Sequence, residues 1–119
     1  MPDNDTLAIA RAYHDAWSSR DFTTAAELLS PDIAIEVPIN SYPDKESFVT
    51  ALTGFGQLTR RVRLLSAISA ENEAMLLYDL DAELVGPLRV AEHFTVEAGR
   101  IVRLRQIHDT APVRAAGLG

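Results

Sequence analysis

The chain has no cysteine among its 119 residues, which excludes disulfide bonds and thiolate metal sites. No apolar run approaches the roughly 18 residues of a membrane-spanning helix, so neither a span nor a membrane partner is expected. The opening residues, MPDNDTLA, lack the basic start and apolar core of a secretion signal, and a cytoplasmic protein is the default expectation. Positive charge is scarce: 11 Lys and Arg face 17 Asp and Glu, a net charge of −6. Phosphate backbones need a basic surface, so nucleic acid is not an expected partner. The one basic cluster, Arg60, Arg61 and Arg63, reads as a solvated strand edge. Repeats, low-complexity tracts and internal linkers are absent. The length fits one domain over residues 1–119, with its core in about 5–110 and a tail, APVRAAGLG, that has little to hold it down. No serine or cysteine nucleophile motif is present. The GFG at 54–56 follows a helix and lacks the rest of a dinucleotide fingerprint. No cofactor is implied.

What is present is a hydrophobic fraction of 47% arranged with clear periodicity. Residues 5–19 follow helical spacing, with Leu7, Ala10, Tyr13, His14 and Trp17 on one stripe and Asp5 or Thr6 as cap. Asp21 caps a second helix, about 22–29, which Ser30-Pro31 stops. Residues 33–39 alternate as a short strand that Pro38 confines to an edge or a bulge. Asp44 caps a third helix, about 45–55, with Phe48, Val49, Leu52 and Phe55 on one side. Strands are expected over 61–70 and 74–85, the second with Leu76, Tyr78, Leu80, Ala82 and Leu84 in phase.

The stretch Leu88–Asp109 reads as one long hairpin with a three-residue turn, Glu97-Ala98-Gly99. That turn length puts Val90, Glu92, Phe94 and Val96 on one face with Val102, Leu104, Gln106 and His108. The face is mostly apolar, hence buried, and Glu92, Gln106 and His108 stand out on it as a polar cluster. Arg103, Arg105, His93 and Thr95 lie on the other face, with Ile101 and Ile107 among them. Apolar residues within a polar sheet face suggest a protein contact, here a two-fold homodimer.

Helices first and long antiparallel strands after them make an α+β plan: a cone-shaped, curved, mostly antiparallel sheet packed with three N-terminal helices around a central cavity. The segments AYHDAWSSRDFTTAAELLSPDIAIEVP and VAEHFTVEAGRIVRLRQIHD resemble the nuclear-transport-factor-2-like superfamily, with its SnoaL-like and ketosteroid-isomerase-like members. The resemblance covers roughly residues 5–110. It implies the cone fold, a homodimer, and either a small-molecule enzyme or a non-catalytic binding or dimerisation module. On the ketosteroid isomerase pattern, Tyr13 falls at the oxyanion-hole tyrosine and Glu92 at a protonated acid. Val37 falls at the general-base aspartate, and valine cannot move a proton.

The expected ligand is thus a small, largely apolar molecule, and the expected chemistry is cofactor-free acid–base work such as isomerisation, cyclisation or hydration. Desolvation should raise the pKa of Glu92 and suit it as an acid. His108 can accept a proton, and Tyr13 can donate a hydrogen bond. Trp17, Val37, Phe48, Leu52, Phe55, Tyr78, Phe94, Leu104 and Gln106 are the candidate wall of the binding site. His14 is expected on the helix surface and His93 on the outer sheet face. Glu92 and His108 lack any metal-ligand spacing, so no metal site is assigned.

Overall fold

The computed structural model describes residues 2–118. The elements are α1 (Pro2–Ser18), α2 (Phe22–Glu27), β1 (Leu29–Glu36), α3 (Lys45–Leu58), β2 (Thr59–Ala70), β3 (Glu73–Ala82), β4 (Gly86–Glu97), β5 (Arg100–His108) and α4 (Ala111–Ala115). The strands form one curved, open sheet in the order β1-β5-β4-β3-β2, parallel between β1 and β5 and antiparallel elsewhere. The long helices cover its inner face, which is the expected α+β cone.

Local chemistry sets most boundaries. Asp21 accepts from the Thr24 amide at 3.1 Å and Asp44 from the Ser47 amide at 2.8 Å, so both expected caps open their helices. At the end of α1, Arg20 takes φ 67°. The Asp21 amide reaches Ala16 O at 2.8 Å and the Arg20 amide Trp17 O at 3.1 Å, the paired bonds of a Schellman stop. Asp5 and Thr6 do not cap α1, which begins earlier, at Pro2. Thr6 is instead buried and donates to Glu71 O at 2.8 Å, tying α1 to the β2–β3 turn.

The β4–β5 hairpin departs from the expected register. Glu97 pairs with Arg100, so the loop has two residues, Ala98 and Gly99, both with positive φ. A right-handed sheet twist favours such a turn, and Gly adopts its second position without strain. A two-residue loop alone would put every later pair out of phase. The irregularity between Thr95 and Val96 absorbs the difference: Val96 pairs with Ile101, Thr95 with Arg103, and Val102 is the extra residue of a bulge. Ile101 therefore turns inward and is fully buried, not on the outer face as expected, while Val102 is half-buried. Beyond the bulge the pairs are Phe94–Leu104, Glu92–Gln106 and Val90–His108, which keep these even-numbered residues on one shared face, as read from the sequence.

Two further differences bear on the site. His14 is only 3% exposed, because it shares the buried stripe of Ala10, Tyr13 and Trp17 and turns toward the sheet with them. Over 111–118 the tail has more to hold it than expected: α4 forms, Val113 is buried, and Leu118 packs against the core. The core is centred on Tyr13, Leu29, Leu76, Phe94, Ile101 and Leu104, none of which exposes any side-chain surface. Full burial of such an aliphatic or aromatic side chain contributes about 1.5–3 kcal/mol.

Candidate functional site

A cavity of about 520 Å³ opens between α1, α3 and the inner sheet face, within the range of small-molecule sites. Alternation along β4 brings Leu88, Val90 and Glu92 to its wall; β3 adds Tyr78 and Leu80, and β5 adds Gln106 and His108. Helix α1 supplies Tyr13 and Trp17, while α3 supplies Phe48, Leu52 and Phe55. Val37 lines the cavity from the loop after β1. Phe94 and Leu104, expected at the wall, lie outside it. They pair with each other behind Tyr13, whose ring meets Phe94 edge-on at 5.7 Å, and their side chains complete the core.

The polar end is built around Glu92, which is 1% exposed. Its Oε1 accepts from the Tyr78 hydroxyl at 3.1 Å and its Oε2 from Gln106 Nε2 at 2.8 Å. Among the described residues no Lys or Arg lines the cavity, so none of them offsets the buried carboxylate with a positive charge. Desolvation therefore dominates and pushes the Glu92 pKa up to about 7, against the downward pull of the Gln106 and Tyr78 hydrogen bonds. Near neutral pH the group can hold or release a proton.

Tyr13 is fully buried, and its hydroxyl has no hydrogen-bond partner among the described residues. Burial first, and the Glu92 charge second, raise its pKa well above the ordinary range, so the hydroxyl keeps its proton. It is a buried donor facing a cavity with nothing to bond. The same causes hold Tyr78 protonated.

His108 is half-buried at the wall. Its Nδ1 lies 2.9 Å from Asp109 O. A carbonyl oxygen only accepts, so Nδ1 carries the hydrogen of this bond, which leaves Nε2 as the ring nitrogen free to take part in proton transfer. Glu92 and His108 thus share the cavity, each bonded to other neighbours. His14 sits behind this layer, its ring 4.8 Å from Tyr78 and 5.6 Å from Trp17. Desolvation lowers its pKa and keeps it neutral. Among the described residues, no three His, Asp or Glu side chains converge on a point that could hold a metal ion.

The family model that describes the SnoaL-like domain matches residues 10–104. The chain belongs to the SnoaL-like domain family. Within the nuclear-transport-factor-2-like superfamily, this SnoaL-like domain is similar to a protein of Kribbella flavida DSM 17836, with 34% identity over 93% of this chain and 92% of that one and a TM-score of 0.87. A steroid delta-isomerase from Pseudomonas aeruginosa shares the fold at 16% identity, TM-score 0.78, over 95% and 86% of the two chains. An epoxide hydrolase of the LEH-like type from M. tuberculosis does so at 16% identity, TM-score 0.78, over 98% and 91%. The search of curated proteins found no match to this chain.

Several wall residues were not singled out from the sequence. Leu80, Leu88 and Val90 were recoverable, since they alternate in phase with Tyr78 and Glu92. Asn40 and Tyr42 lie in a loop without periodicity. Val113 and Leu118 lie in a tail whose packing no local pattern signals.

Proposed function

We propose that this SnoaL-like domain binds a small, uncharged, largely apolar molecule and performs cofactor-independent acid–base chemistry on it. The unpartnered Tyr13 hydroxyl beside the buried Glu92 carries this reading, because a hydrogen-bond-accepting oxygen of a ligand would satisfy the one and meet the proton of the other. Glu92 acts as general acid or electrostatic stabiliser, Tyr13 as hydrogen-bond donor, and His108 Nε2 as proton acceptor. The absence of a wall cation disfavours anionic ligands. The isomerase and the epoxide hydrolase that share the fold support the reaction class. The steroid reaction itself is disfavoured, since Val37 occupies the position of the base. The test is mass spectrometry of whatever co-purifies with the protein, followed by binding of that molecule to Glu92→Gln and Tyr13→Phe variants. Unchanged affinity in both would refute the assignment.

One observation favours a second reading. Both Glu92 oxygens are already bonded within the protein, as in a binding module whose polar groups satisfy one another. In that case Glu92→Gln leaves turnover of any identified substrate unaffected.

We also propose a two-fold homodimer contact on the outer sheet face. Ile68 pairs with Met75 on the neighbouring strand, and Leu77, Ala91 and Ile107 follow across β3, β4 and β5. Ile68 is 63% exposed and Ile107 71%, an apolar band on an otherwise charged face. Light scattering at micromolar concentration should give twice the chain mass, and a monomer mass for Ile107→Asp. A monomeric unmodified protein sinks the idea.

A further inference from the structure

One wall of the cavity belongs neither to the sheet nor to the long helices. Val113 of α4 and Leu118 beyond it both face the cavity, and Val113 is 8% exposed. The segment that carries them is held by short-range bonds. Asp109 Oδ1 accepts from the Ala111 amide at 3.0 Å, and Thr110 caps α4 without a side-chain bond. The chain then turns at Gly117, with φ 76°, and the Leu118 amide returns to Val113 O at 3.2 Å. The link across the mouth is Asn40. Its Nδ2 donates to Leu118 O and to the Tyr42 hydroxyl, both at 3.4 Å. Tyr42 also faces the cavity, with its ring 5.8 Å from Phe48. Asn40 takes φ 68°, a left-handed conformation that Asn tolerates better than most residues.

Glu92, Tyr78 and Gln106 thus form one bonded polar cluster in the cavity wall, while Val113 and Leu118 line the cavity beside the exposed Asn40. We propose that residues 109–118 form a latched wall of the ligand site. The apolar end of the ligand lies against Val113 and Leu118 with its polar end toward Glu92, and Asn40 is the latch that releases to let it pass. This rests on the ligand-site reading above. Long, neutral, exposed hydrogen bonds bias an equilibrium by roughly tenfold or less. The latch can therefore open often without destabilising the fold, while the buried Val113 draws the wall shut again.

Asn40→Asp tests the latch. It keeps the size and the tolerance for positive φ, removes both donors and sets a carboxylate against Leu118 O. Stopped-flow fluorescence with N-phenyl-1-naphthylamine, a neutral apolar probe, reads passage. Amide exchange at Arg114, Ala116 and Leu118, whose bonds close the segment, reads opening. Asn40→Asp should speed binding and release of the probe by about threefold or more and raise exchange at those amides, with β4 unchanged. Val113→Ala should weaken probe affinity by a similar factor. Wild-type probe rates in Asn40→Asp, or wild-type affinity in Val113→Ala, overturn the proposal. If the unmodified protein takes up no probe, the ligand-site reading fails. Exchange then decides the latch alone: raised exchange in Asn40→Asp supports it, and unchanged exchange overturns it.

Discussion

Glu92→Gln should make the protein more stable at neutral pH, because it removes a buried carboxyl and keeps its shape. In the unfolded chain this group loses its proton at the ordinary 4.5, whereas in the fold it keeps it up to about 7. Between those values the folded state binds more protons than the unfolded one, so stability falls as pH rises and levels off above about 7. A gap of that size corresponds to about 3 kcal/mol, at about 1.4 kcal/mol per tenfold. Below 4.5 the group is neutral in both states and contributes no difference. Gln can still accept from the Tyr78 hydroxyl, but its amide forces Gln106 to turn its own oxygen inward, a rearrangement costing about 1 kcal/mol. The variant should therefore gain about 2 kcal/mol near pH 8 and lose about 1 kcal/mol near pH 4. Urea unfolding of both proteins across that range measures the difference. Subtraction cancels Asp21, Asp44 and Asp79, whose pKa values are lowered by hydrogen bonds from Thr24, Ser47 and Arg89. Those groups lose stability as pH falls, the opposite sense. A difference that stays flat with pH refutes the account of Glu92 as a desolvated acid.

Tyr13→Phe removes a buried hydroxyl without a partner among the described residues, and should raise stability by about 1 kcal/mol in thermal melts; a lower Tm would show that the hydroxyl is satisfied. Gly56→Ala would set a Cβ 2.5 Å from the Phe22 ring and should cost about 1–3 kcal/mol. Gly54→Ala meets nothing within 4 Å in the same helix and should gain up to about 1 kcal/mol; equal effects in the two denaturation curves would contradict the packing. The ketosteroid-isomerase resemblance puts Val37 where that family has its base, so the unmodified protein should leave the double bond of a Δ5-ketosteroid unmoved in an ultraviolet absorbance assay. Detectable conversion would assign the base to another residue, His108 first.

Legibility tracked the range of the interactions involved. The caps at Asp21 and Asp44, the stripe of α1 and the inward phase of Glu92 with Gln106 follow from spacing of two to four residues, and all three are readable directly. Ile101 was misplaced because a two-residue turn and a bulge each shift register by one. Their effects cancel after Val102, so the pattern near Glu92 was right while that near the turn was not. His14 was misplaced by weighing its polarity above its position on the stripe. The C-terminal wall had no periodic signal at all: Val113 is buried and Leu118 partly so against a core distant in sequence, with Asn40 bonded to Leu118 O. The pairing of Glu92 with Tyr78 was foreseeable only as one of several partners, since it depends on the β3–β4 register.

An open sheet leaves two strands with unpaired backbone, and both are poor templates for another chain. At one edge β1 contains Pro31, which has no amide hydrogen to offer, and its pairing with β5 is interrupted between Leu29 and Ala34. At the other edge β2 begins with exposed Arg60, Arg61 and Arg63 and breaks register between Leu64 and Ser66. Like charges would meet if two such edges approached, and a broken ladder cannot be copied in register. A sheet curved enough to hold a cavity thereby resists growing sideways into fibrils.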